Sequence, residues 1–108
     1  MQELSGKVAI VTGGASRIGF AIARRFAAEG MKIMLADVEE RALDAALTSL
    51  QDAGADAAAL VTDVTQPAQV EALADDTLSR FGGLHVACNN AGVFVGGLLW
   101  EASEADYR

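Results

Sequence analysis

Residues 7 to 19, KVAIVTGGASRIG, pass from a short apolar stretch through a glycine turn into a helical pattern that begins at Ile18. A helix start in that position offers unpaired N–H groups and the positive end of the helix dipole, and both attract an anion. Three further segments carry groups suited to a polar ligand: Asp37, the pair Asp63 and Val64, and the quartet Asn89, Asn90, Ala91 and Gly92. A carboxylate accepts hydrogen bonds from hydroxyls, amides both donate and accept, and small residues permit close approach.

The elements that must position these groups follow from hydrophobic spacing. Val8 to Val11 read as a buried strand, and the next helix carries Ile18, Ala21, Ile22, Phe26 and Ala27 at three- and four-residue intervals until Gly30 ends it. Lys32 to Ala36 form a second strand. A helix from about Glu39 to Ala53 follows, with Leu43, Ala46, Leu47 and Leu50 on its buried stripe and Gly54 at its close. A third strand covers about Ala57 to Thr62, and Thr65 is the expected cap of a helix with Pro67 in its first turn. Val70, Leu73, Ala74, Thr77, Leu78 and Phe81 supply that helix's apolar face. Gly82 and Gly83 stop it, and Leu84 to Cys88 form strand four. Strands joined by helices of this length imply crossovers and a parallel sheet. The expected fold is α/β, a Rossmann-like parallel sheet with helices on both faces, truncated after the fourth strand and forming one partial dinucleotide-binding domain over residues 1–108.

In such a sheet all four candidate segments fall at the carboxyl ends of consecutive strands, where open α/β sheets bind ligands. Strand, glycine turn and helix in that order can cradle a dinucleotide phosphate. Gly13 allows the tight turn, Gly19 inside the helix lets the backbone and a coenzyme or the sheet approach closely, and Ser16, Arg17 and Ile18 lie between them. Asp37, eighteen positions after Gly19, can take both hydroxyls of an adenosine ribose, or it can cap the following helix. A 2′-phosphate would meet like charge there, which favours NAD over NADP. Asp63 and Val64 can bound an adenine edge or simply prepare the next helix. In the segment Asn89, Asn90, Ala91 and Gly92 the paired amides can tie neighbouring strand ends together and the small residues can let a ribose or nicotinamide come close, or the segment forms only a turn.

Composition bounds the reading. At 108 residues, 52% hydrophobic, with 11 glycines and one proline, the chain supports one modest core and no low-complexity tract. Fifteen acidic against eight basic residues give a net charge of −7, so a nucleic-acid backbone would be repelled. Cys88 stands alone, which fits a reducing compartment, and the amino terminus resembles neither a secretory signal nor a membrane span. A soluble cytoplasmic protein is expected. His85 and Cys88 do not make a zinc shell, Cys88 reads as a small core residue, and the adjacent Asp75 and Asp76 read as solvated surface. Phe94, Val95, Leu98, Leu99 and Trp100 form an apolar loop that could border a substrate pocket.

On these residues the chain resembles the amino-terminal part of the short-chain dehydrogenase/reductase family. The segment Thr12 to Gly19 is similar to TGxxxGxG, Asp37 follows strand two, Asp63-Val64 follows strand three, and Asn89 to Gly92 follows strand four. The resemblance implies that the first segment binds the coenzyme diphosphate, that Asp37 marks NAD use, that Asp63 lies by the adenine, and that the NNAG segment lines the coenzyme. It implies hydride transfer between a nicotinamide and a small-molecule alcohol or carbonyl substrate, in a protein that is a homo-oligomer when complete. Arg17 departs from the pattern, standing where the family has its middle glycine. Some relatives with a basic residue there use NADP, so NADP stays open beside NAD.

The family's catalytic serine, tyrosine and lysine match no position up to Arg108, and Tyr107 with Arg108 is not their equivalent. Residues 1–108 alone are therefore expected to show no turnover. With much of one sheet face uncovered and strand four an unpaired apolar edge, weak stability, aggregation or self-association is expected as well, and Ser103 with Asp106 reads as the beginning of a further helix. The competing reading is a non-catalytic dinucleotide-binding or interaction module.

Overall fold

A computed structural model describes residues 4–89. The expectations for Asn90, Ala91, Gly92, the apolar loop, Ser103 with Asp106, and Tyr107 lie outside that range. The elements in chain order are β1 (Val8–Thr12), α1 (Arg17–Ala28), β2 (Lys32–Asp37), α2 (Glu40–Asp52), β3 (Ala57–Val61), α3 (Pro67–Phe81) and β4 (Val86–Asn89). The four strands form one parallel sheet in the order β3-β2-β1-β4.

β1 is central and wholly buried because each of its residues is apolar or, in Thr12, hydrogen-bonded at the strand end. Alternate residues serve opposite faces. Ala9 and Val11 of β1 join Ile33 and Leu35 of β2 against Ala23 of α1 and Leu43, Ala46 and Leu50 of α2. Ile10, Met34 and Ala36 face the other way, onto Val70 and Leu73 of α3. The sheet therefore has α1 and α2 on one face and α3 on the other, as the sequence implies. Fully buried leucine or isoleucine side chains in these two clusters contribute about 1.5–3 kcal/mol each by leaving water.

The helix faces differ in detail from the periodic reading. Gly19 and Ala23 are the buried residues of α1, while Ile18 is 67% exposed and Ala21 is exposed. Small side chains let the helix axis come close to the strand and turn beneath it, so the contact face centres on them rather than on the largest apolar residues. In α3, Val70, Leu73 and Thr77 are buried, whereas Leu78 lies at the margin of the stripe and is exposed. α2 matches its expected stripe.

Strand four begins later than expected, at Val86. His85 precedes it and extends the ladder with its ring: Val8 N–H donates to His85 Nδ1 at 2.9 Å, and His85 N–H donates to the Val8 carbonyl at 2.9 Å. The ring nitrogen thus serves as a rung acceptor.

Candidate functional site

Successive strands run outward on one side of β1 as far as β3, and the chain then returns to place β4 on the other side. This reversal puts a crevice at the carboxyl ends of β1 and β4. The register aligns Thr12 with Ala36 on one side and with Asn89 on the other. The Thr12 hydroxyl donates to Asn89 Oδ1 at 2.9 Å, with the Cys88 carbonyl oxygen 3.2 Å away, and so ties the two strand ends beside the crevice. Sequence reasoning missed that role for Thr12, because it depends on which residue of strand four stands opposite.

The turn from β1 into α1 is built from local and distant contacts. Gly13 has φ +66°, a left-handed conformation that suits glycine. Its carbonyl accepts from both the N–H of Ser16 at 3.0 Å and the Ser16 hydroxyl at 2.6 Å. Ser16 is the N-cap of α1, its Oγ accepting the Gly19 N–H at 3.0 Å, and its carbonyl accepts the Phe20 N–H. A Cβ on Gly19 would overlap the Gly13 carbonyl oxygen. The close approach at Gly19 is thus one of helix to turn rather than of helix to sheet. Capping and helical bonds account for Gly19 and Phe20, leaving the N–H groups of Arg17 and Ile18 without an acceptor among the described residues. No acidic side chain occupies the first turn of α1. Two open donors and the exposed Arg17 side chain make this helix start suited to an anion.

Asp37 closes β2 and is half-buried. Its Oδ2 accepts from Ala15 N–H at 3.0 Å, and its Oδ1 accepts from Glu39 N–H at 3.2 Å. The N-cap of α2 is Glu39, so Asp37 braces the turn before that helix without being its cap. Each carboxylate oxygen keeps a further lone pair for a hydroxyl donor.

β3 continues the same edge, with Asp37 opposite Val61 and Thr62 N–H donating to the Asp37 carbonyl at 2.9 Å. Asp63 Oδ1 accepts both the N–H and the hydroxyl of Thr65, at 2.9 and 2.6 Å, while Asp63 N–H donates to Gln69 Oε1 at 2.8 Å. These bonds hold the Asp63 carboxyl below its ordinary range, the Thr65 hydroxyl contributing most. They also correct the expected cap. Thr65 spends its hydroxyl on Asp63, and the N-cap of α3 is Gln66, which makes no side-chain capping bond. Val64 is half-buried and packs on the cluster under α3, so part of its apolar surface is committed to the core.

Cys88 is half-buried on β4, and burial pushes its thiol pKa up, away from the thiolate form. Among the described residues no group of histidine, cysteine and carboxylates could hold a metal, and no helix is long and apolar enough to cross a membrane.

Comparison with known proteins places this crevice in context. A family model described as short chain dehydrogenase matches residues 7–108. The 1-deoxy-11-beta-hydroxypentalenate dehydrogenase of Streptomyces avermitilis is 44% identical over 101 residues, covering 92% of this chain and 37% of that protein. The 3-alpha-(or 20-beta)-hydroxysteroid dehydrogenase of Mycobacterium tuberculosis is 44% identical over 106 residues, 98% of this chain and 40% of its own. Among solved structures, a short chain dehydrogenase/reductase from Burkholderia phymatum in complex with NAD aligns with a TM-score of 0.83 at 50% identity, over 99% of this chain and 38% of that one. The chain thus spans well under half the length of these relatives.

Proposed function

This chain belongs to the short chain dehydrogenase family, and from that premise we propose that it supplies the coenzyme-binding part of an oxidoreductase acting on an alcohol or carbonyl substrate. The observation that carries the proposal is the β1–α1 turn, where two open N–H donors adjoin a carboxylate that is held in place by backbone donors. The fit to a dinucleotide is chemical: donors and a cationic side chain for the diphosphate, and an acid with spare acceptor capacity for a sugar diol.

Arg17 and Ile18 would hold the diphosphate through their N–H groups, with Gly13, Ser16 and Gly19 setting the turn. Asp37 would take the adenosine ribose, Asp63 and Val64 would bound the adenine, and Asn90, Ala91 and Gly92 would complete the wall. When bound, the coenzyme supplies the hydride-accepting or hydride-donating nicotinamide ring. In this reading the residues named bind and orient, none of them is a proton donor for the substrate oxygen, and residues 1–108 by themselves are expected to give no turnover.

NAD is the expected coenzyme. A 2′-phosphate brings negative charge to the Asp37 carboxylate, and the complex with NAD formed by the Burkholderia phymatum relative agrees with that choice. Calorimetric titration of the full-length protein with NADH and NADPH tests it. Tighter NADH binding is expected; NADPH binding tighter than NADH would reverse the coenzyme assignment, and absence of both would remove the function.

A further inference from the structure

We propose that Asp37 is a positioning residue for the diphosphate loop as well as a sugar-facing acid, so that coenzyme affinity and coenzyme choice are coupled through one side chain. The proposal rests on the coenzyme reading above and adds a role that a sugar contact alone does not include.

Two consecutive residues of the loop are fastened to two consecutive residues of β2. Gly14 N–H donates to the Ala36 carbonyl at 3.1 Å, and Ala15 N–H donates to Asp37 Oδ2 at 3.0 Å. The first fastening is backbone to backbone and survives any side-chain change. The second exists only through the carboxylate. The other oxygen of the same group takes Glu39 N–H at 3.2 Å, so the turns after β1 and β2 are clamped on one residue. Ala15 directly precedes the N-cap Ser16, and the open donors of Arg17 and Ile18 follow within the same turn. Releasing Ala15 therefore loosens the segment that aims those donors.

One consequence concerns coenzyme switching. Removing the acid to admit a 2′-phosphate abolishes the charge repulsion, yet it also unfastens the loop that both coenzymes need. An isosteric amide is only a partial remedy. Asparagine has one accepting oxygen, and its NH₂ group cannot accept, so it satisfies one of the two backbone donors and confronts the other with a donor.

The test combines residue-resolved amide exchange on the nucleotide-free full-length protein with NADH and NADPH titrations, for wild type, Asp37→Asn and Asp37→Ala. In Asp37→Ala, exchange at Ala15 and Glu39 should quicken about tenfold, while Gly14 keeps its protection. Asp37→Asn should release only one of the two. NADH affinity should fall roughly 10- to 100-fold in Asp37→Ala, and NADPH affinity should not rise above that of wild type. If Asp37→Ala loses protection across the whole sheet, the isosteric variant decides the matter by the same one-amide criterion. Unchanged Ala15 and Glu39 exchange in Asp37→Asn, or Asp37→Ala binding NADPH more tightly than wild type does, overturns the positioning role while wild-type NADH binding still upholds the coenzyme reading. A wild-type protein that binds neither coenzyme overturns both.

Discussion

Two helices begin at the same edge of the sheet, and their starts are built in opposite ways. α1 is capped by the Ser16 hydroxyl, and its preceding turn is held by a carboxylate 22 positions along the chain. α3 has an uncapped Gln66, a proline at its first position, and a preceding turn held by Asp63, Thr65 and Gln69, all within six positions of one another. Pro67 has no N–H, and the N–H groups of Gln69 and Val70 both donate to the Gln66 carbonyl, so the start of α3 keeps fewer open donors than the start of α1. A turn stabilised by its own neighbours can form early and tolerates change around it. A turn stabilised from a distant strand acquires its shape only when the sheet is assembled, and it transmits changes made in that strand. The first arrangement suits a structural connection, the second a site whose donors must be aimed.

The largest effect expected from this contrast is at Gly19. Replacing it with alanine improves helix propensity by about 1 kcal/mol, but the new Cβ overlaps the Gly13 carbonyl, an overpacking that costs about 3 kcal/mol. Net destabilisation with loss of NADH binding should follow in urea unfolding and titration of the full-length protein; a Gly19→Ala protein as stable as wild type would show that the turn yields freely. The caps should differ next. Ser16→Ala should lower stability by about 1 kcal/mol and weaken NADH binding, whereas Gln66→Ala should change stability by less than about 0.5 kcal/mol and leave binding alone. Equal losses at the two positions would erase the distinction between the two starts.

The smallest effect lies in the acid range. Because the folded Asp63 carboxyl titrates below its ordinary value, its bonds to Thr65 add stability above the unfolded carboxyl's pKa, and that contribution is lost as pH falls through the lowered folded value. Thr65→Val removes the larger cause, so the Asp63 titration followed by carbon NMR should move up toward the ordinary carboxylate range. An unmoved titration would mean that the Thr65 hydroxyl does not hold the group.

The sheet, its helices and the crevice were legible because apolar runs and glycine punctuation are local signals. The Leu43, Ala46, Leu47, Leu50 stripe needed nothing beyond helical period. What was lost is what depends on relative placement. Periodicity favours Ile18 and Ala21 for the buried face of α1, while the structure buries Gly19 against the turn and Ala23 against the sheet. Thr65 has the chemistry of a cap, yet Asp63 two residues earlier competes for its hydroxyl at short range. Asp37 was legible as a site acid or a helix cap; its bond to Ala15 was not, since the alignment of the loop with β2 emerges only from the assembled strands.

β4 is fastened to β1 at both extremities by side chains, His85 to Val8 at one end and Thr12 to Asn89 at the other. In a parallel pair, sliding one strand by two residues preserves which side chains face each layer, so apolar burial discriminates poorly against that error. The polar fasteners do discriminate, because a two-residue slip separates both pairs at once. The docking of the returning strand, and with it the mouth of the crevice, is thus marked by an imidazole and a hydroxyl as well as by the oily interior.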